Sequence, residues 1–263
     1  MRILIVSDIH SNWPALEALR ETFDVCLFLG DLVDYGVDPS PCIEWVQRHA
    51  THCVRGNHDH GAAQGVSVHG AAGFRYLTGV SRPITCSKIS ESERRFLSQM
   101  PLTKFLTLDG KRYLLVHATP RDPMDEFAKP ELDFWQRRLE GIDVDYVLCG
   151  HTHQPYTLQV GKTTIVNPGS VGLPRDGDPR ASYAMIVDNS IEMRRIEYPM
   201  ERSIEAIRSS TLPDRAKEMV VEVYRTGRLL NGKNGNGNGK TTIGVSLVET
   251  KGDTTELMEA MGE

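Results

Sequence analysis

Arg2-Ile3-Leu4-Ile5-Val6-Ser7-Asp8-Ile9-His10 opens the chain with a charge, a four-residue apolar run and then two groups able to hold a metal. The apolar run predicts a buried strand. The same pattern returns four times. Val25–Leu29 runs into Gly30-Asp31-Leu32-Val33-Asp34, and Cys53–Val54 into Gly56-Asn57-His58-Asp59. Tyr113–Val116 runs into His117, and Tyr146–Cys149 into Gly150-His151-Thr152-His153. In open α/β sheets, ligands gather at the carboxyl ends of strands. If these strands share a sheet, all five sets meet at one crevice.

Helical patterns lie between the strands. Trp13, Leu16, Leu19 and Phe23 recur at helical spacing, with Pro14 in the first turn. Pro39–Ala50, Glu131–Leu139, Met200–Ser209 and Asp214–Thr226 read as helices, as does Ser90–Met100, which starts with a capping box from Ser90 to Glu93. Hairpins are expected around Asp109-Gly110, Gly161-Lys162 and Asn189-Ser190. The organisation is a domain over 1–226, an Asn/Gly linker over 227–240 and a short appendage over 241–263. Within the appendage, Thr241–Glu249 reads as a strand and Thr254–Met261 as a short helix, either an edge addition or a partner-binding piece. Gly161-Lys162-Thr163 and Gly239-Lys240-Thr241 resemble the end of a phosphate loop. The glycine that motif requires is Tyr156 in one and Asn234 in the other, so both fail.

Composition narrows the class. The chain has 263 residues, 30 Lys+Arg against 35 Asp+Glu, and a net charge of −5. With 40% hydrophobic and 25% charged residues it reads as an ordinary globular protein. No basic excess exists for general nucleic-acid binding. Apolar runs of about five residues fall far short of the ~20 that cross a bilayer, so no membrane partner is expected. The opening apolar stretch is too short for a signal peptide. Five cysteines without a C-x-x-C pair argue against a disulfide framework and for a cytoplasmic address.

Five of the nine histidines fall just past strand ends: His10, His58, His117, His151 and His153. Crowding them with aspartates and an asparagine, and no cation, would leave polar groups poorly satisfied at about 1–3 kcal/mol each. His49, His52, His60 and His69 lack this context and read as surface or loop residues. The ligand number implies two divalent transition-metal ions, and the imidazole, carboxylate and amide set suits Mn, Fe or Zn. Two such ions side by side need a bridging anion, which a central Asp and a hydroxide can supply. Two dications, two carboxylates and a hydroxide leave about one positive charge, which favours an anionic substrate such as a phosphate ester.

The blocks Asp8-x-His10, Gly30-Asp31-x-x-Asp34, Gly56-Asn57-His58-Asp59, His117 and Gly150-His151-x-His153 resemble, in order and spacing, the signature of the calcineurin-like metallophosphoesterase superfamily. Asp8-Ile9-His10-Ser11-Asn12 and the stretch from Asn167 to Arg180 are similar to its small bacterial and archaeal branch of phosphodiesterase type. The resemblance implies an α/β (α+β) fold, a two-sheet β-sandwich flanked by helices (αββα). It implies one ion on Asp8, His10, Asp31 and His153, and the other on Asp31, Asn57, His117 and His151. His58 would be catalytic, protonating or polarising the leaving oxygen, with Asp34 orienting it. A hydroxide bridging the two ions would attack phosphorus in line. The implied activity is hydrolysis of small phosphate esters, as a phosphodiesterase, a phosphatase or a dinucleoside polyphosphate hydrolase, with a nucleotide among the candidate substrates. The alternative is a catalytically silent, protein-binding scaffold on the same fold. Asn57 and Arg175 are candidates for substrate contact, the other reading of Arg175 being a solvated turn. Asn12 is expected to cap the first helix, and Asn167 to serve its turn.

Overall fold

β1 (Arg2–Val6) is followed by α1 (Trp13–Glu17), β2 (Val25–Phe28), α2 (Pro39–His49), β3 (His52–Cys53) and α3 (Asn57–Gln64). Next come α4 (Gly73–Lys88), α5 (Glu91–Gln99) and the hairpin of β4 (Thr103–Leu108) and β5 (Lys111–Val116). α6 (Leu132–Arg138) and β6 (Tyr146–Leu148) precede a second hairpin, β7 (Tyr156–Val160) and β8 (Thr163–Asn167). A third hairpin, β9 (Ala181–Val187) and β10 (Ser190–Ile196), leads into α7 (Met200–Ser209) and α8 (Asp214–Thr226). This computed structural model describes residues 1–229. The strand and helix expected in the appendage lie outside them.

The strands form two mixed sheets, in the orders β10-β9-β1-β2-β3 and β4-β5-β6-β8-β7. β1, β2 and β3 run parallel, as do β5, β6 and β8. The antiparallel pairings involve β9 and β10 in the first sheet and β4 and β7 in the second. The five strands that run into polar residues therefore divide between two sheets instead of sharing one. Their carboxyl ends still meet, because His151 N–H donates to Asp8 Oδ2 at 3.1 Å and His117 Nδ1 lies 2.8 Å from the Leu29 carbonyl, both across the two sheets.

β1 reads as apolar throughout because both its faces are covered. Ile3 and Ile5 pack between the sheets with Val25, Leu27, Leu115 and Leu148. Leu4 and Val6 face outward onto Leu16 of α1 and onto Ile43 and Val46 of α2. Each such side chain contributes about 1.5–3 kcal/mol of burial. α6 covers the second sheet with Phe134 and Trp135. α7 and α8 build a third apolar layer with Leu77 of α4 and Tyr35. No helix among the described residues is long and apolar enough to cross a membrane.

Three local expectations are corrected, and two helices, α3 and α4, have no counterpart in the sequence reading. α1 stops at Glu17, because Leu19 N–H closes a tight turn on the Leu16 carbonyl and Asp24 N–H must bond to the Arg2 carbonyl to start β2. Leu19 and Phe23 still join the core. β3 sits one residue earlier than expected. The last hairpin turns at Asp188 and Asn189, both with positive φ. α4 was not expected at all. Its fully buried residues are mostly polar (Thr78, Ser81, Arg82, Thr85, with Leu77), its apolar residues Phe74, Val80 and Ile84 are only half-buried beside Leu77, and Pro83 lies inside it.

Candidate metal centre

The polar residues after the strands sit in strained turns. Of the eleven described non-glycine residues with positive φ, eight are Asp8, His10, Ser11, Asp31, Asp34, Tyr35, His151 and His153. Such conformations cost about 1–3 kcal/mol each and persist where the surroundings impose them. Here they turn side chains inward at the strand ends. Two glycines make the close approach possible. A Cβ on Gly30, whose φ is +97°, would stand 2.5 Å from Gly56 N and 2.8 Å from His117 Nδ1. A Cβ on Gly56 would stand 2.1 Å from Asp31 Oδ1.

Three histidines present the same posture. His10 Nδ1 lies 3.0 Å from the Val33 carbonyl, His117 Nδ1 2.8 Å from that of Leu29, and His153 Nδ1 2.5 Å from that of Leu173. A carbonyl only accepts, so each Nδ1 carries a proton; in the neutral rings of His10 and His153 an Nε2 lone pair turns inward, and His117 Nε2 faces Asp31 Oδ2 at 3.2 Å. The Nε2 atoms of His10 and His153 are 3.1 Å apart. Two lone pairs cannot hydrogen-bond to each other, so this pair calls for a cation between or beside them.

Carboxylates complete the set. His153 Nε2 lies 3.2 Å from Asp8 Oδ1, and His10 Nε2 lies 3.8 Å from Asp31 Oδ2. Asp8, His10, Asp31 and His153 converge within 4.8 Å, and Asp31 also belongs to a second such group with His117 and His151. Asp8 Oδ1 and Asn57 Oδ1 are buried without a hydrogen-bond partner among the described residues. The donor set of imidazoles, carboxylates and an amide oxygen fits two divalent transition-metal ions that share Asp31.

The electrostatics match this crowding. Burial pushes Asp31 up, but the charges of His117 and His58 overcome it and hold the carboxyl well below its ordinary range. Burial opposes the charged form of His117, yet Asp31 raises its imidazolium to about 10. Burial and then the charge of His117 lower His151 to about 4. Burial and the charge of Asp31 raise Asp59 to about 7, although its carboxylate accepts three N–H bonds, from Gly56, Asp31 and Leu32.

Beside the cluster, His58 Nδ1 donates to Asp34 Oδ2 at 2.8 Å. Asn57, His58 and Arg175 line a cavity of about 480 Å³ in front of Asp31, His151 and His153. Asp34 lies behind His58. The Arg175 guanidinium stacks 3.6 Å over the Phe74 ring, and its Nε is buried without a partner among the described residues. Arg175 therefore faces the cavity and is not a solvated turn. His60, expected at the surface, also borders the cavity. Asn12 precedes α1, but its side chain makes no capping bond. Asn167 serves its turn by accepting from Gly169 N–H, and it also holds the His151 loop by donating to the Gly150 carbonyl.

Three neighbours escaped the sequence reading. Asp59 lies inside a quoted block and pins the Asp31 turn. Tyr35 directly follows Asp34, and its hydroxyl is 3.2 Å from His58 Nε2. Arg82 binds Asp34 from 48 residues away, and a lone arginine on a helix carries no signal for that.

The comparisons agree with this geometry. The family profile described as the calcineurin-like phosphoesterase superfamily domain matches residues 1–190. An uncharacterized protein of Methanocaldococcus jannaschii is 30% identical over 81% of this chain and 94% of its own. Phosphodiesterase YfcE of Escherichia coli is 27% identical over 73% of this chain and 89% of its own. The crystal structure of a metallophosphoesterase from Sphaerobacter thermophilus superposes with a TM-score of 0.71 at 29% identity, covering 86% of this chain and all of that one. The chain belongs to the calcineurin-like phosphoesterase superfamily.

Proposed function

We propose that this protein hydrolyses small phosphate esters with the help of two divalent transition-metal ions, manganese, iron or zinc. The observation that carries the reading is the facing Nε2 pair of His10 and His153, beside two carboxylates and a second histidine pair. Asp8, His10, Asp31 and His153 would hold one ion. Asp31, Asn57, His117 and His151 would hold the other. When bound, such ions lower the pKa of water and polarise phosphoryl oxygens.

The chain's own residues supply the rest. His58 faces the cavity, where it would give a proton to the departing ester oxygen as the P–O bond breaks. Asp34 accepts from His58 Nδ1, which fixes the ring and leaves Nε2 as the atom that would carry the transferred proton. Arg175, held flat against Phe74 and lining the cavity, would offer its guanidinium to a phosphoryl oxygen. The cavity fits a small ester, a nucleotide among them, and not a polymer. A phosphodiester is favoured, since a relative that spans most of the chain is a phosphodiesterase. Five free cysteines fit a cytoplasmic address. The domain is read as 1–226, with a linker and an appendage after it.

The test is metal analysis of the purified protein together with turnover of an aryl phosphodiester. His58→Ala should retain its metal and lose about a hundredfold or more in kcat. A protein that binds no metal and turns over no ester would support the silent scaffold instead.

A further inference from the structure

Asp34 and Tyr35 are neighbours in sequence, and both have positive φ, 70° and 61°. One consequence is that adjacent side chains grip opposite nitrogens of a single ring. Asp34 Oδ2 is 2.8 Å from His58 Nδ1, and the Tyr35 hydroxyl is 3.2 Å from His58 Nε2. The Nδ1 proton faces the Asp34 carboxylate, and the Tyr35 hydroxyl donates to Nε2 when that nitrogen is bare and accepts from it when it carries the proton to be given.

Both gripping residues are held from one face of α4. Arg82 Nε donates to Asp34 Oδ2 at 2.7 Å, and its Nη2 lies 2.6 Å from the same oxygen. The Ser81 hydroxyl accepts from Tyr35 N–H at 3.1 Å. The Thr78 hydroxyl donates to the Tyr35 oxygen at 3.1 Å. Positions 78, 81 and 82 are three and four apart, so they share one helix face. All three are buried, although polar. A helix spends three polar residues inward only where they have partners, and here the partners are the two residues that hold His58. Arg82 Nη1 also donates to the Val66 carbonyl at 3.1 Å, which ties this network to the wall of the cavity.

We infer that α4 is a clamp for His58, with Arg82 and Tyr35 as positioning residues that aim its Nε2 at the departing oxygen. The inference rests on the esterase reading for its kinetic consequence, but not for the geometry it asserts. Protonation matters most when the departing oxygen is basic. A clamp that aims a proton donor should therefore matter more for an unactivated phenol than for an activated nitrophenol.

The experiment uses the full chain supplied with manganese and two aryl phosphodiesters that differ only in the departing group. In Tyr35→Phe and Arg82→Gln, the ratio of kcat on the phenol ester to kcat on the nitrophenol ester should fall about tenfold or more, with metal content retained. Arg82→Lys should recover part of the loss. Equal losses on both esters would overturn the positioning role. If Arg82→Gln does not fold, Tyr35→Phe and Thr78→Val carry the same comparison. Nitrogen NMR of labelled histidine gives a second reading, independent of turnover. Wild type should show a His58 Nδ1 that keeps its proton, and the variants should show altered ring signals. Unaltered signals would overturn the clamp. Altered signals in a chain that cleaves neither ester would support the clamp and sink the esterase reading.

Discussion

The Ser203 hydroxyl of α7 donates to Asn12 Oδ1 at 2.7 Å, across 191 residues of sequence. Asn12 Nδ2 in turn donates to the Gly172 carbonyl at 2.8 Å, and both contacts are buried. Asn12 thus fastens the turn that carries Asp8 and His10 to a late helix and to the loop before Arg175. Asn12→Ala would leave both the Gly172 carbonyl and the Ser203 hydroxyl without this partner. The expected cost is about 1–3 kcal/mol, read as a lower urea midpoint. A variant as stable as wild type would show that the bridge adds nothing.

Asp31 is the residue common to both donor groups. Asp31→Asn should therefore reduce binding of both ions, whereas His153→Ala should chiefly reduce binding of one. Metal content measured after gel filtration separates the two outcomes. Equal metal content in the two variants would argue against a shared carboxylate.

Gly30 tests the packing of the strand ends. Alanine there meets Gly56 N at 2.5 Å, and φ of +97° is strained for any side chain. Backbone lies on the contact side, so the neighbour cannot swing away. Gly30→Ala should destabilise the fold by about 1–3 kcal/mol and displace the His117 ring, which is also close to the new methyl. Thermal unfolding and metal content would both report it. Wild-type values in both would mean that the loop shifts freely.

The candidate metal-binding residues were legible because each follows an apolar strand closely, so one short motif carries both fold and chemistry. Asp8, Asp31 and His117 needed only strand direction to be placed together. The allocation of strands to two sheets was not legible from apolar runs, since a strand covered on both faces reads alike in either. The spacing of Phe74, Leu77, Val80 and Ile84 could have signalled α4, but hydrophobic periodicity cannot report the polar face of Thr78, Ser81 and Arg82 beside it. Arg82 could be found only once Asp34 was seen to need a cation.

Asp178 gives a pH dependence away from the candidate metal centre. Its carboxylate accepts from Arg180 Nε and backbone N–H, both at 3.0 Å, and these bonds, with Arg195 nearby, lower it to about 2. The group ionises at about 3.9 when unfolded, so the folded state binds its proton less tightly. The stabilisation is therefore complete above about pH 4 and fades as the pH falls through 2. The pair is partly exposed, at 49% and 30% for the two side chains, so its contribution is about 0.2–1 kcal/mol. Asp178→Asn should lose that amount at neutral pH and show a flatter decline of urea midpoint between pH 4 and 2. The Asp178 carbonyl also accepts from Arg195 at 3.2 Å, which anchors the segment leading back to Arg175. That bond belongs to the backbone and survives in Asp178→Asn, so kcat on a phosphodiester at neutral pH should change little. A large loss of turnover in Asp178→Asn would mean that the carboxylate, and not the backbone, sets the position of Arg175.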